Sequence, residues 1–229
     1  MPCVPVLGRL KTAAIFQLDD CMRPVYGPGT GYIDDCFAAF STSDNMDEGE
    51  TFTRRCADGR ILYHDDGEQS LQSVEVNLDL NAEPDDEFMA QVGLIQPVEN
   101  DGAVIGWTRC TTASANLLIA VWQEVLGAEA CDEDAAGAAG GWRLHLFPVK
   151  NARLTLEGDV GSEDGYMRIT GNTSPEANLG IGPLPLLEGV DGPIFPVDDL
   201  VVCHHTILKA GVAAPPVECG PVDTELPAG

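Results

Sequence analysis

Residues 70–81 read SLQSVEVNLDLN, and within this stretch Val74, Val76, Leu78 and Leu80 alternate with Glu75, Asn77 and Asp79. Successive side chains of a strand point to opposite faces, so the alternation predicts a β-strand with one apolar face on a core and one polar face. The adjoining AEPDDEFMAQVG (82–93) predicts the only helix. Pro84 suits a first turn, Asp85, Asp86 and Glu87 complement the positive helix N-terminus, and Gly93 suits the position just past the end. Phe88, Met89 and Val92 form its apolar stripe.

Upstream, LKTAAIFQLDD (10–20) alternates Ala14, Phe16 and Leu18 with Ala13, Ile15 and Gln17, a strand whose two faces differ only weakly. CMRPVYGPGTG (21–31) is dense in Pro and Gly and predicts turns, and residues 34–42 predict a short strand. Downstream, AVIGWTRC (103–110), NLLIAVWQEV (116–125) and WRLHLFPV (142–149) are strand-like, and CDEDAAGAAGG (131–141) predicts a flexible loop. RLTLEGDV (153–160) and GYMRITGN (165–172) place Leu154 and Leu156, then Met167 and Ile169, at period two, the pattern of a hairpin. A last β-like run, LVVCHHTIL (200–208), precedes a Pro-rich tail that reads as an extended arm or disordered end. The expected organisation is an N-terminal arm at 1–12, a β domain at 13–208 and a Pro-rich C-terminal arm at 209–229.

Length and composition agree with one mainly β unit. A chain of 229 residues can bury roughly 70–75% of its unfolded surface in a single domain, and 25 Gly with 16 Pro imply many turns. The 37 Asp and Glu stand against 12 Lys and Arg, a formal net charge of −25. Tight nucleic-acid binding relies on basic residues displacing counterions, and no basic stripe or tail exists here. Anionic membranes are excluded on the same ground. No apolar run approaches the roughly 18–20 residues of a membrane span, and MPCVPVLGRLK lacks the pattern of an export signal, so a soluble, unexported chain is expected. The eight cysteines are spaced too widely for a zinc knuckle or compact disulfide framework, and buried thiols are the expectation.

Chemical motifs are sparse. GPGTGY (27–32) lacks the Lys-Ser/Thr of a phosphate loop, and GIGPLP (180–185) has prolines where a dinucleotide motif opens a helix, so both read as turns. His204 and His205 are adjacent and would face opposite ways on a strand, which argues against a shared metal. No G-x-S-x-G elbow is present. The acidic doublets Asp34–Asp35, Asp65–Asp66, Asp132–Glu133 and Asp198–Asp199 arise readily by chance among 37 acids, and none completes a Ca²⁺ loop. No catalytic residue, cofactor or metal ligand is assigned, and the chain reads as a structural protein and not an enzyme.

Two blocks carry a resemblance. DDCMRPVYGPGTGYIDDCF (19–37) contains a D-x-C-x-R-P-V pattern in Cys21, Arg23, Pro24, Val25, Tyr26 and Gly27; YMRITGNTSPEANLGIGPLPLL (166–187) contains Ile169, Thr170, Gly171, Asn172, Leu179, Gly180, Ile181, Gly182 and Pro183. With the alternating strand, the helix closing in Gly93 and an exposed turn near CADGR (56–60), this order resembles the major tail tube protein of long-tailed bacteriophages of actinobacteria. The likeness spans roughly residues 7–209. Met22 stands where the family pattern has Gly, and Leu179 where an aromatic is commoner.

The resemblance implies a β-sandwich or barrel with one short flanking helix. Six copies would form a ring by joining their sheets into an inner barrel, and rings would stack into a hollow tube in a virion tail assembled in the bacterial cytoplasm. The implied partners are further copies of the chain, tape measure and tail terminator proteins, and double-stranded DNA that passes through unbound. Carboxylates facing the lumen would repel that DNA; Glu75 and Asp79 are the first candidates, then Asp34 and Asp35. Rival readings are another ring-forming tail component such as a terminator or connector, a carbohydrate- or Ca²⁺-binding β-sandwich, and an acidic glycosidase.

Overall fold

The structure, a computed structural model, describes residues 6–35, 37–47, 49, 52–55, 61–65, 69–81, 85–109, 114–126, 141–157, 166–180, 200–208, 212, 214–217 and 219–224. The stretch 70–81 is strand β6 (Ser70–Leu80), with Val74, Val76, Leu78 and Leu80 all at least 96% buried. Burying each such side chain contributes on the order of 1.5–3 kcal/mol relative to leaving it exposed.

The other strands of the main sheet are β1 (Val6–Leu18), β2 (Gly27–Asp34), β3 (Ala39–Asp47), β9 (Ala115–Leu126), β10 (Trp142–Glu157), β11 (Tyr166–Thr173), β14 (Thr206–Leu208) and β15 (Gly220–Thr224). They form one antiparallel sheet in the order β15-β2-β1-β9-β10-β11-β6-β3, with β14 on the first half of β10. Three small two-stranded sheets accompany it: β4 (Phe52–Arg55) with β5 (Ile61–Asp65), β7 (Gln96–Asn100) with β8 (Ala103–Thr108), and β12 (Ala177–Gly180) with β13 (Leu200–Val202). The fold is therefore mainly β, with one short helix among the described residues.

Both faces of the central strands are buried, which explains the weak contrast along LKTAAIFQLDD. Ala13, Ile15, Leu117, Ile119 and Val121 join a first core with the apolar face of β6, while Ala14, Phe16, Leu118, Ala120 and Trp122 join a second core on the opposite face. Ala177, Leu179 and Val202 of the β12–β13 hairpin pack into the second core. Helix α1 (Asp86–Gln91) covers the first, its Phe88 ring 5.2 Å from that of Tyr32. Asp85 caps it by accepting from the backbone N–H groups of Glu87 and Phe88 at 2.9 and 3.1 Å, and Gly93 follows at φ 84°. Pro84 lies outside the described residues.

Three local readings are corrected. GPGTGY is the start of strand β2 and not a turn, because Gly31 brings the chain against its neighbours: a Cβ there would lie 2.8 Å from Val222 and 3.0 Å from the Phe16 ring. Residues 34–42 are not one strand; β2 ends at Asp34 and β3 begins at Ala39. WRLHLFPV and residues 153–157 of RLTLEGDV are a single strand, β10, joined through a bulge at Lys150–Ala152 in which Asn151 adopts φ 53°. The extra residue switches parity, so Phe147 and Val149 before it and Ala152 and Leu154 after it all face the first core. The strand expected at 103–110 is present as β8 over Ala103–Thr108, and it pairs with β7 outside the main sheet.

The expected pairing of 153–160 with 165–172 is present over its described part, with Leu154 opposite Ile169 and Leu156 opposite Met167, and residues 158–165 lie outside the described residues. In the tail, Gly220–Thr224 adds to β2, and at the other end β1 pairs with β9 from Val6 onward. The loop 131–140, the turn 56–60 and residues 181–185 of GIGPLP lie outside the described residues.

Candidate assembly surface

Strand β3 is the outermost strand of the main sheet beside β6, and among the described residues no strand lies along its other edge. Its sequence, AFSTSDNMD, explains its position: small and polar side chains suit a solvated strand, and only Phe40 turns inward, with its ring 5.1 Å from that of Phe147. Met46 is 49% exposed, and its register partner Leu71 is also exposed. Asp44 and Asp47 carry negative charge along the same strand, and both are exposed. The opposite end of the sheet is β15, only five residues long and interrupted by Pro221.

A second exposed feature is the β7–β8 hairpin. Its two-residue loop, Asp101-Gly102, has φ values of 51° and 79°, the left-handed pair that a tight hairpin turn requires. The hairpin carries Val98, Val104 and Ile105 at 40%, 58% and 65% exposure. Large apolar side chains grouped in this way mark contact surfaces more often than scattered single ones do.

The four acids singled out in the sequence occupy different environments. Glu75 is half-buried on the polar face of β6 and accepts a hydrogen bond from Asn77 at 3.4 Å. Asp79, on the same face, is only 8% exposed and paired with Arg168. Asp34 is buried at the end of β2, and Asp35 is half-buried, receiving the Cys219 thiol at 2.5 Å. That hydrogen bond is the main reason the Cys219 pKa is raised; burial adds to it. Asp34, Asp35 and Cys219 thus converge, with potential ligand atoms within 4.8 Å of one another, but a protonated thiol is a poor metal ligand. The neighbouring Tyr32 hydroxyl is also pushed up, by burial and then by the charges of Asp34, Cys219 and Asp85.

The D-x-C-x-R-P-V block forms a tight turn after β1. The Asp19 carboxylate accepts from the backbone N–H groups of Cys21 and Arg23, both at 2.8 Å, and Met22 N–H donates to the Asp19 carbonyl at 2.9 Å. Cys21 and Arg23 are exposed, while Met22 is 5% exposed at φ 58°. Pro24 bridges to Leu18, Val25 N–H donates to the Gln17 carbonyl, and the Val25 carbonyl accepts from the Thr224 hydroxyl. Burial raises the Tyr26 pKa, and Gly27 at φ 144° opens β2. In the second block, Gly171 packs on the β10 bulge: a Cβ there would lie 2.6 Å from Val149 Cγ1 and 3.0 Å from Ala152 Cα. Gly180 pairs with Leu200, and Gly182 and Pro183 lie outside the described residues.

No protein family model and no curated protein matches the chain.

His204 and His205 diverge: His204 Nδ1 lies 3.0 Å from the Thr173 hydroxyl, whereas His205 Nε2 lies 3.1 Å from His145 Nδ1. Sequence reading missed the His145 contact because the two residues are 60 apart, and it missed Asp44 and Asp47 because β3 lacks clear alternation. Among the described residues no helix is long and apolar enough to cross a membrane.

Proposed function

We propose that the chain is the repeating subunit of a hollow tube, the tail tube of a long-tailed bacteriophage, built from stacked rings of six copies through which double-stranded DNA passes. The observation that carries this reading is the nine-residue edge strand β3, exposed along most of its length. A long solvated edge presents unpaired backbone groups that a further strand can use, and soluble proteins normally cover or interrupt such edges. Asp44 and Asp47 disfavour pairing of β3 with a second β3, since like charges would then face each other. A head-to-tail contact with a different surface of the next copy avoids that repulsion, and contacts of this kind close into rings when the rotation permits. Such joining removes free edges as a barrel does.

Two further observations support the reading. Met22, where the family pattern has Gly, holds a left-handed φ that Gly adopts without strain. Gly171, in the second family block, sits where a side chain would strike the adjoining strand. In the proposed tube Glu75 is the first of the four acids to consider for repelling phosphate, since Arg168 offsets the charge of Asp79. Tape measure and terminator proteins would be the partners at the tube's core and end.

Amide hydrogen exchange tests the edge directly. Outward N–H groups of Ala39–Asp47 should exchange quickly at low protein concentration and become protected on assembly. Unchanged exchange in an assembled sample would reject β3 as the joining edge.

A further inference from the structure

We infer that the outer edge of β2 is the surface on which β3 of the next copy docks, and that the C-terminal strand β15 is its removable cover. The inference rests on the tube reading, for which it names the second half of the joint. The main sheet ends in β3 on one side and in β2 covered by β15 on the other. Sheets joined end to end in a ring bring β3 of one copy against the covered end of its neighbour.

β15 suits a cover better than a joining strand. It has five residues against the nine of β3. Pro221 has no N–H, so it removes either a bond that holds β15 to β2 or a donor from the edge that β15 offers outward. Proline at a sheet edge is a common block to further pairing. Asp223, exposed on β15, adds a negative charge where Asp44 and Asp47 of an incoming β3 would lie, and like charges on neighbouring strands repel. Residues 27–33 of β2 carry no charged side chain, so withdrawal of β15 leaves a neutral edge for an acidic strand. It also vacates the space over Gly31, beside the Phe16 ring, that Val222 fills. That apolar seat suits Met46, the exposed large apolar side chain of β3.

The fastening of β15 is largely polar. Just before the strand the Cys219 thiol donates to Asp35 at 2.5 Å, and further along the Gly29 N–H donates to the Asp223 carboxylate at 2.8 Å. Both contacts are exposed, so water replaces them at small net cost. At the far end the buried Thr30 and Thr224 hydroxyls touch, while Thr30 also donates to the Gly27 carbonyl at 2.8 Å and Thr224 to the Val25 carbonyl at 3.1 Å. Each hydroxyl has one proton, so two protons serve three contacts and one contact is always without. A strand fastened in this way opens locally while the central strands, buried on both faces, stay paired.

The test locks the cover. Thr30→Cys with Thr224→Cys puts two thiols where the hydroxyls touch, and oxidised glutathione then ties β15 to β2, the new disulfide being verified by peptide mapping of the full chain. Tube formation, read by light scattering and negative-stain microscopy, should proceed when this chain is reduced, fall by about tenfold or more when it is oxidised, and return with dithiothreitol. Amide exchange of Gly29–Ile33 in the unassembled chain should slow by about tenfold on oxidation. Thr224→Val, which keeps the side-chain volume and releases the clasp, should lower the protein concentration at which tubes appear. Oxidised chain that assembles as readily as reduced, exchange unmoved by the lock, or a raised threshold in Thr224→Val would overturn the cover. A native chain that forms no tubes would sink the tube reading together with this docking site, whereas native tubes beside locked tubes would sink the docking site alone.

Discussion

Arg168 grips Asp79 with two hydrogen bonds, Nε to Oδ1 at 2.6 Å and Nη2 to Oδ2 at 3.0 Å, from directly opposed positions on β11 and β6. The planar guanidinium matches a carboxylate in this two-point contact, and the pair is mostly shielded from water. It ties the polar face of the strand that defines the fold to its neighbour.

Removing one partner leaves the other charge shielded and uncompensated. Arg168→Ala should therefore destabilise the chain by about 2–3 kcal/mol in urea unfolding, less than for a fully buried pair because the Arg168 side chain is 27% exposed. Adding Asp79→Ala should cost less than the sum of the two single changes, since the orphaned charge is removed. Additive losses would show that the pair is not coupled.

Gly171→Ala places a Cβ against Val149 Cγ1, which can move, and against Ala152 Cα, which cannot. A loss of about 1–3 kcal/mol is expected from this overpacking. Combining it with Val149→Ala should recover only part of that loss, because the backbone clash remains. Full recovery in thermal melts would mean that Val149 alone sets the limit.

Burial, followed by the charges of His205 and Arg143, lowers the His145 pKa from 6.5 to about 4. Between these values the unfolded chain binds the extra proton, so this group favours folding above pH 6.5 and loses that contribution as pH falls toward about 4. After allowance for solvent screening the effect is on the order of 1 kcal/mol. It is measured as the difference in pH dependence between the native chain and His145→Gln, in which the slope over this interval should flatten. Identical slopes would contradict it.

What the sequence disclosed depended on whether one strand or several supplied the constraint. The alternation of Val74 to Leu80 and the short helix closing in Gly93 are local, and both appear in the structure, with Asp85 serving as the helix N-cap. The shielding of Asp79 is invisible in its own strand, because its partner lies 89 residues away. GPGTGY looked like turns because Gly and Pro usually mark them, yet Gly31 is needed for close approach to Phe16 and Val222. Two runs became one β10 because a bulge changes parity without ending a strand. The candidate assembly edge was equally hidden, since an exposed strand needs no apolar alternation.

Assembly of chains that each carry a formal charge of −25 works against mutual repulsion. Raising salt from about 50 mM to about 500 mM shortens the screening length from roughly 14 Å to roughly 4 Å and should speed assembly. Light scattering at fixed protein concentration reads this. Slower assembly at high salt would mean that attractive charge pairs, and not backbone edges and apolar contacts, join the copies.

Negative-stain electron microscopy of the purified full chain tests the central claim most directly. Hollow tubes with a regular axial repeat, lengthening with concentration, are the expected result; particles that remain monomeric at high concentration, or single rings that never stack, would contradict it.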